Sequence, residues 1–301
     1  MFGKRPDGIM VKNIDPLVMM TPYIMPQRVD AQVFLDSQFK YEPLINYISE
    51  KAREGFKITF MEILSAAFVR AVSQNPEINR FISNRKLYSR KGLCISLVVV
   101  KESVGTEVEE AVIKVDFDLT DTIFDVAARI KKEVIENRKP EKENLVSKLI
   151  RVLMRSPGLP NFFIALVRVL DKYTLLPKFL IDISPFHTSL FITNMASIGM
   201  EKVYHHIYNF GTTSIFLSLG AIKKSLKLQR DGSVKRVRML PIGVTVDERV
   251  CAGKVYAQFF AEIKKYMEDP CLLEIEPETV KYDTNCEYHV DKPDLSCIKI
   301  N

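Results

Sequence analysis

Few side chains in this sequence have both the type and the spacing for chemistry, and most of them lie late in the chain. Cys251 follows Arg249 by two residues in the string Asp247-Glu248-Arg249-Val250-Cys251-Ala252-Gly253. A neighbouring guanidinium lowers a thiol pKa and favours the nucleophilic thiolate. The string holds no histidine to act as base, so a buried, inert thiol is the expected state. Glu248 is the other group there that could move a proton, but an unperturbed glutamate ionises at a pH of about 4.3 and only burial makes it a useful base. Further on, Cys286-x-x-His289 with Cys297 supplies three zinc-type ligands but lacks a fourth and the paired CxxC spacing, so no metal is expected. The pair His205-His206 is read as surface or interface histidines on a connecting segment.

Composition narrows what these residues could serve. The 301 residues allow one large domain or two small ones, and 27% charged against 47% hydrophobic residues is the balance of an ordinary globule, which excludes disordered and fibrous classes. The five cysteines are odd in number and scattered, which fits reduced thiols rather than a disulfide framework. Lys4, Arg5, Asp7, Lys12 and Asp15 interrupt every apolar run near the N-terminus, so no signal-peptide core is present and a cytoplasmic location is expected. The longest uncharged stretch of the most apolar region, Ser156 to Val167, contains Pro157 and Pro160 and falls short of the roughly 20 residues that a membrane span needs.

The elements that must position the site follow from periodicity. Residues 31–39 alternate as a half-buried strand and lead into a helix over Tyr41–Arg53 that Gly55 stops. Thr59 with Glu62 three residues on forms a capping box for a second helix over Phe60–Ser73, which Pro76 ends. Strands are predicted at Arg80–Ser83, Lys86–Tyr88, Leu93–Val100 and Val112–Phe117, then a helix over Thr122–Glu136. Leu93–Val100 is apolar enough for burial on both faces. The last third carries strands at Ser189–Asn194, Thr213–Leu219 and Pro241–Asp247, with Lys235–Arg238 as a basic edge after the Asp231-Gly232 turn. A closing helix spans Lys254–Glu268.

Between these halves lies a segment of different character. Leu145–Met154 and Phe162–Leu170 are amphipathic pieces joined by the turn-rich Ser156-Pro157-Gly158-Leu159-Pro160. Between Leu145 and Leu180, Lys148, Arg151, Arg155, Arg168, Lys172 and Lys178 stand against the single acid Asp171, while basic residues exceed acidic ones by only 6 over the whole chain. A basic amphipathic hairpin over 142–180 is the form of an interfacial element, either packed on the sheet or another subunit or touching an anionic membrane peripherally. Nucleic acid is not expected as a partner, because aromatic and basic residues are not interleaved on a predicted sheet surface.

Several strings occur in a telling order: Thr59-Phe60, Pro76-x-x-Asn79, Thr193-Asn194, Leu219-Gly220-Ala221, Asp247-Glu248-Arg249-Val250-x-x-Gly253 and Asp269-Pro270-x-Leu272-Leu273. Over residues 17 to 276 the chain resembles the catalytic core of the acyltransferase component of 2-oxoacid dehydrogenase complexes and its relative chloramphenicol acetyltransferase. The resemblance implies a two-layer α/β domain with a mixed sheet, assembled as a homotrimer or larger homo-oligomer, with sites at subunit interfaces that take coenzyme A from one side and an acyl acceptor from the other. The core is expected over residues 1–276, carrying the 142–180 insert, and the polar, poorly periodic stretch 277–301 is expected as a tail.

The family signature has the form D-H-R-V-x-D-G or H-H-x-x-x-D-G, with the histidine as base, the aspartate as a local structural anchor and a Ser or Thr of a late strand as hydrogen-bond donor to the oxyanion. Here Glu248 stands in the histidine's place and Ala252 in the aspartate's, whereas Thr193 matches the oxyanion hydroxyl, and Asp247 and Arg249 match the signature's flanks. The string His205-His206-Ile207-Tyr208-Asn209-Phe210-Gly211 copies the second spacing but falls about forty residues too early. The expectation is an acyltransferase-fold pseudoenzyme, with Glu248, Thr193 and Arg249 as the site residues. The alternative is an active acyl-CoA-dependent enzyme that uses Glu248 as an atypical base.

Overall fold

The computed structural model describes residues 4–12, 14–100, 110–138, 151–152, 154–155, 157–283 and 286–300. The chain begins with β1 (Gly8–Met10) and α1 (Pro16–Ile24), the latter capped by the Asp15 carboxylate, which accepts from the Leu17 amide at 2.8 Å. α1 was not among the expected helices; its Pro16 sits in the first turn, where no amide is needed, and Pro22 lies inside it. β2 (Gln32–Lys40) runs directly into α2 (Tyr41–Arg53). The capping box at Thr59 is formed, with the Thr59 amide donating to Glu62 at 2.6 Å, and starts α3 (Phe60–Gln74). Pro76 ends that helix because it removes a donor and pushes the preceding residue out of the helical region.

β3 (Arg80–Ser83) and β4 (Lys86–Arg90) form a hairpin whose two turn residues, Asn84 and Arg85, have φ of 46° and 61°. Two positive φ values match the right-handed twist of the flanking strands. β1 joins this pair in a small sheet of order β1-β4-β3. The main sheet contains β5 (Leu93–Val100) and β6 (Glu110–Phe117), followed by α4 (Ile123–Arg138), α5 (Leu159–Lys172) and α6 (Lys178–Ile183), then β7 (Leu190–Asn194), β8 (Ile215–Leu219), β9 (Lys223–Leu228), β10 (Val234–Asp247) and α7 (Gly253–Glu268). Its order is β2-β10-β8-β7-β5-β6, with β9 paired to β10. β7 is parallel to β5 and β8 and the remaining pairs are antiparallel, so the sheet is mixed, as expected.

Residues alternate between two different faces of this sheet. Ile192, Leu217, Ile242, Val244 and Val246 join α3, α4 and α7 in the main core, through Ile63, Phe68, Val126 and Phe259 among others. The other face is crossed by the segment that links β7 to β8, with Ile207 packed on Phe191 and Phe216. Glycine makes that crossing possible: a Cβ on Gly243 would lie 2.2 Å from the Val203 carbonyl oxygen, and one on Gly220 would lie 2.2 Å from the Lys202 nitrogen. The Ser218 hydroxyl then accepts from the Val203 amide and donates to its carbonyl, at 2.9 and 2.7 Å.

The basic edge and the strand expected separately at Lys235–Arg238 and Pro241–Asp247 are one continuous strand, β10, because β9 pairs with its first half. β9 was not expected; its lysines, Lys223, Lys224 and Lys227, masked an alternation that pairing alone makes evident. The second arm of the basic hairpin is α5, whereas most of the first, Leu145–Met154, lies outside the described residues. Within 277–301, expected as a tail, residues 286–300 run along the domain: the Val290 amide donates to Asp118, Ile298 is buried beside Ala127 and Ala128, and the Ile298 carbonyl accepts from the Lys57 amide.

Candidate functional site

Thr193 sits on β7 opposite Ser218 of β8, and Ser218 in turn faces Gly243 of β10. Since residues in register point the same way, Thr193 belongs to the face that the β7–β8 crossing covers. Its hydroxyl is buried and has no hydrogen-bond partner among the described residues.

Glu248 comes one residue after β10 and is exposed, its amide donating to the Ala31 carbonyl at 3.0 Å. It lines an apolar cleft of 550 Å³ with Val33, Leu35, Val244, Val246 and Tyr256. The turn that carries it is held by its neighbours. The Asp247 carboxylate accepts from Arg249 Nε at 2.8 Å and Nη2 at 2.6 Å, and from the Arg249 amide at 3.1 Å. Arg249 Nη1 donates to the Met25 carbonyl at 2.8 Å, and the Tyr256 hydroxyl donates to the Asp247 carbonyl at 2.9 Å. With side chains 2% and 1% exposed, Arg249 and Asp247 form a buried bidentate pair. Arg249 therefore ties the end of β10 to the end of α1, and its guanidinium has few donors left for a substrate.

Thr193 and Glu248 do not meet within one chain. From Gly243, in register with Thr193 across β8, Glu248 lies five residues along and two strands across, roughly 19 Å away at ordinary strand spacings. They also face opposite sides of the sheet, Thr193 toward the crossing segment and Glu248 toward the cleft beside α7.

No histidine comes to the Glu248 cleft among the described residues. His187 is buried and bonded through Nδ1 to Ser184 at 2.8 Å, and burial lowers its pKa although Asp171 opposes. His205 stacks on Phe216 and His206 lies against Tyr208, both on the crossing segment, and His289 is exposed beside Asp118. Cys251 is buried and its thiol is pushed up to about 12 by burial and by Glu77, with Tyr256 opposing, so it is inert as expected. Cys286 and Cys297 bond to the carbonyls of Arg90 and Ala128, at 3.1 and 3.5 Å, and no group of metal-binding side chains forms among the described residues.

Sequence reading missed a set of buried arginines. Arg5 joins Asp7 at 2.8 Å and Asp171 at 2.7 Å, and Arg90 lies 4.5 Å over the Phe81 ring while bonding the Thr188 and Thr212 carbonyls. Arg28 is buried against the Ile82 and Asn209 carbonyls. These residues are isolated in the sequence, and nothing in the local pattern marks them.

Known proteins match at the level expected from these features. Residues 187–275, which contain Thr193, Glu248 and Arg249, match the family model of the 2-oxoacid dehydrogenases acyltransferase (catalytic domain). No curated protein sequence matches. Among solved structures, the dihydrolipoamide acetyltransferase of Azotobacter vinelandii aligns with a TM-score of 0.55 at 12% identity, over 87% of this chain and 93% of that one. The cubic core of the pyruvate dehydrogenase multienzyme complex aligns at 0.52 and 13% identity over 87% and 93%, and a chloramphenicol acetyltransferase at 0.52 and 10% over 86% and 99%. The resemblance read from the sequence is thus present in the fold: the domain has the chloramphenicol acetyltransferase-like architecture shared with dihydrolipoamide acetyltransferase cores. No helix among the described residues is long and apolar enough to cross a membrane.

Proposed function

We propose that this chain is an acyltransferase-fold subunit that has lost histidine-dependent acyl transfer and serves as the structural or regulatory core of a trimer or larger cage. The observation that carries this reading is Glu248 at the mouth of the cleft, with no histidine beside it among the described residues. An exposed carboxylate is a weak base toward a thiol. Ala252 lines the same cleft and offers no side-chain contact to the turn, whose anchoring falls to Asp247 and Arg249.

The separation of Thr193 and Glu248 supports an assembly in which two copies complete one site. Exposed apolar side chains on β2, β9 and β10, namely Phe34, Leu226, Leu228 and Val234, support the same conclusion. Coenzyme A is the ligand whose arm the cleft would take, since Val33, Leu35, Val244 and Val246 offer a volume of 550 Å³ with apolar walls. Phe162, Leu166 and Val169 lie exposed beside Arg168 and Lys172, which supports peripheral contact of the 142–180 segment with an anionic membrane.

A second reading, acyl-CoA transfer with Glu248 as base, is favoured by the unpartnered Thr193 hydroxyl. Calorimetric titration with coenzyme A and acetyl-coenzyme A, with oligomeric mass measured on the same sample and consumption followed with a dithiol acceptor, separates the two. The expected result is an oligomer without turnover. Turnover that Glu248→Gln abolishes overturns the first reading in favour of the second.

A further inference from the structure

A second cavity, of 580 Å³, opens between the end of α1, the β3–β4 turn, α5 and the crossing segment. Its charged lining is Arg28, Arg85, Arg168, Lys172, Arg249 and Asp171. Among the described residues Asp171 is the sole acid of this lining, and its carboxylate is engaged by Arg5 at 2.7 Å. Arg249 is likewise committed to Asp247. Four cationic side chains then face the cavity with no carboxylate of the lining left to balance them.

Arg28 is the unusual member. It is 6% exposed, and among the described residues its side chain bonds only the carbonyls of Asn209 and Ile82, at 3.2 and 2.9 Å, and its Nε has no partner. Burial lowers its pKa to about 10, with Asp247 opposing, so it remains charged at neutral pH. A buried guanidinium in contact with carbonyls alone carries a desolvation cost that an anion would offset. Arg85 lines the same cavity from the hairpin turn, held at a φ of 61° and over the Tyr23 ring at 5.5 Å, while Arg168 and Lys172 stand on one side of α5. Arginine forks arranged around a volume of this size suit a phosphate group bearing further substituents.

We propose that this cavity is a binding site for a phosphate-bearing ligand, with Arg28 at its floor and Arg85, Arg168 and Lys172 at its rim. The source of the phosphate is either a free phosphorylated molecule or the headgroup of an anionic lipid, since Phe162, Leu166 and Val169 of α5 stay exposed beside it. The inference is independent of whether acyl transfer survives, because Glu248 and Arg249, adjacent in the chain, line two different cavities.

The test is calorimetric titration of the full chain with inorganic pyrophosphate. Saturable binding is expected, weakened about tenfold or more in the double variant Arg85→Glu with Arg168→Glu, the factor of one lost charge-assisted hydrogen bond. The double variant Lys227→Glu with Arg236→Glu, which makes the same charge change on the exposed β9–β10 hairpin, is expected to bind like the parent. A second arm co-sediments the proteins with vesicles of phosphatidylcholine alone or mixed with phosphatidic acid. Pelleting with the mixed vesicles that pyrophosphate competes away assigns the headgroup as source; pyrophosphate binding without pelleting assigns a free phosphorylated molecule. No saturable pyrophosphate binding, or an equal loss in both double variants, overturns the proposal.

Discussion

Replacing Asp247 by alanine asks whether Arg249 is a structural tie or a group kept for substrate. In the folded chain the carboxylate accepts three hydrogen bonds from Arg249, at 2.6, 2.8 and 3.1 Å, in surroundings where both side chains are at most 2% exposed. Asp247→Ala leaves the guanidinium buried with the Met25 carbonyl as its remaining partner. Removing one member of a buried pair costs about 3–5 kcal/mol, a large part of the roughly 5–15 kcal/mol that holds a domain folded. Asp247→Asn with Arg249→Met, which removes both charges while keeping the volumes, should cost less than Asp247→Ala alone, because no orphaned charge remains. Urea unfolding followed by circular dichroism measures both, tryptophan being absent from the chain. A loss below about 1 kcal/mol for Asp247→Ala would refute the reasoning: Arg249 would then be free to reach solvent and available to a substrate.

Three further outcomes follow from the packing. Gly243→Ala drives a Cβ to 2.2 Å from the Val203 carbonyl and should cost at least about 2 kcal/mol, whereas Gly253→Ala meets open space in the first turn of α7 and should be neutral or stabilise by up to about 1 kcal/mol; equal unfolding midpoints would contradict this. Burial holds the Glu62 carboxyl at about 7 against an ordinary 4.5, with the Thr59 hydrogen bonds opposing, so the folded chain keeps a proton there that the unfolded chain has released. The stability that Glu62 contributes therefore falls as pH rises from 4.5 to 7, by at most about 3 kcal/mol, and the difference between parent and Glu62→Gln should follow that window; a flat difference is the contrary result. A thiol reagent at pH 8 should modify the exposed Cys271 in the native protein while sparing Cys251, which becomes reactive on unfolding; native labelling of Cys251 would contradict its burial.

The elements most legible in advance were those in which a local rule and the tertiary environment agree. The Thr59–Glu62 box fixed the start of α3, Pro76 its end, and Leu93–Val100 formed a strand whose residues are largely buried, as its unbroken apolar run required. The elements that went unread had local signals pointing elsewhere: prolines in α1, and lysines in β9. Of the three candidate site residues, Glu248 was found at a cleft and Thr193 with an unpartnered hydroxyl, but the commitment of Arg249 to Asp247 could not be read, since spacing alone does not say whether neighbouring charges are buried.

By itself, then, the sequence determined most of the strands and helices and the residue types at 248 and 252, which are properties of residues near one another in the chain, and the order of its short strings pointed to the mixed α/β class through a family resemblance. Only the tertiary structure decided that Thr193 and Glu248 face opposite sides of one sheet, because facing depends on strand register and on which strands lie between. It also decided that Arg28, Arg85 and Arg168 share a cavity. Those residues are separated by dozens of positions, and no periodicity brings together what only chain reversal and packing can.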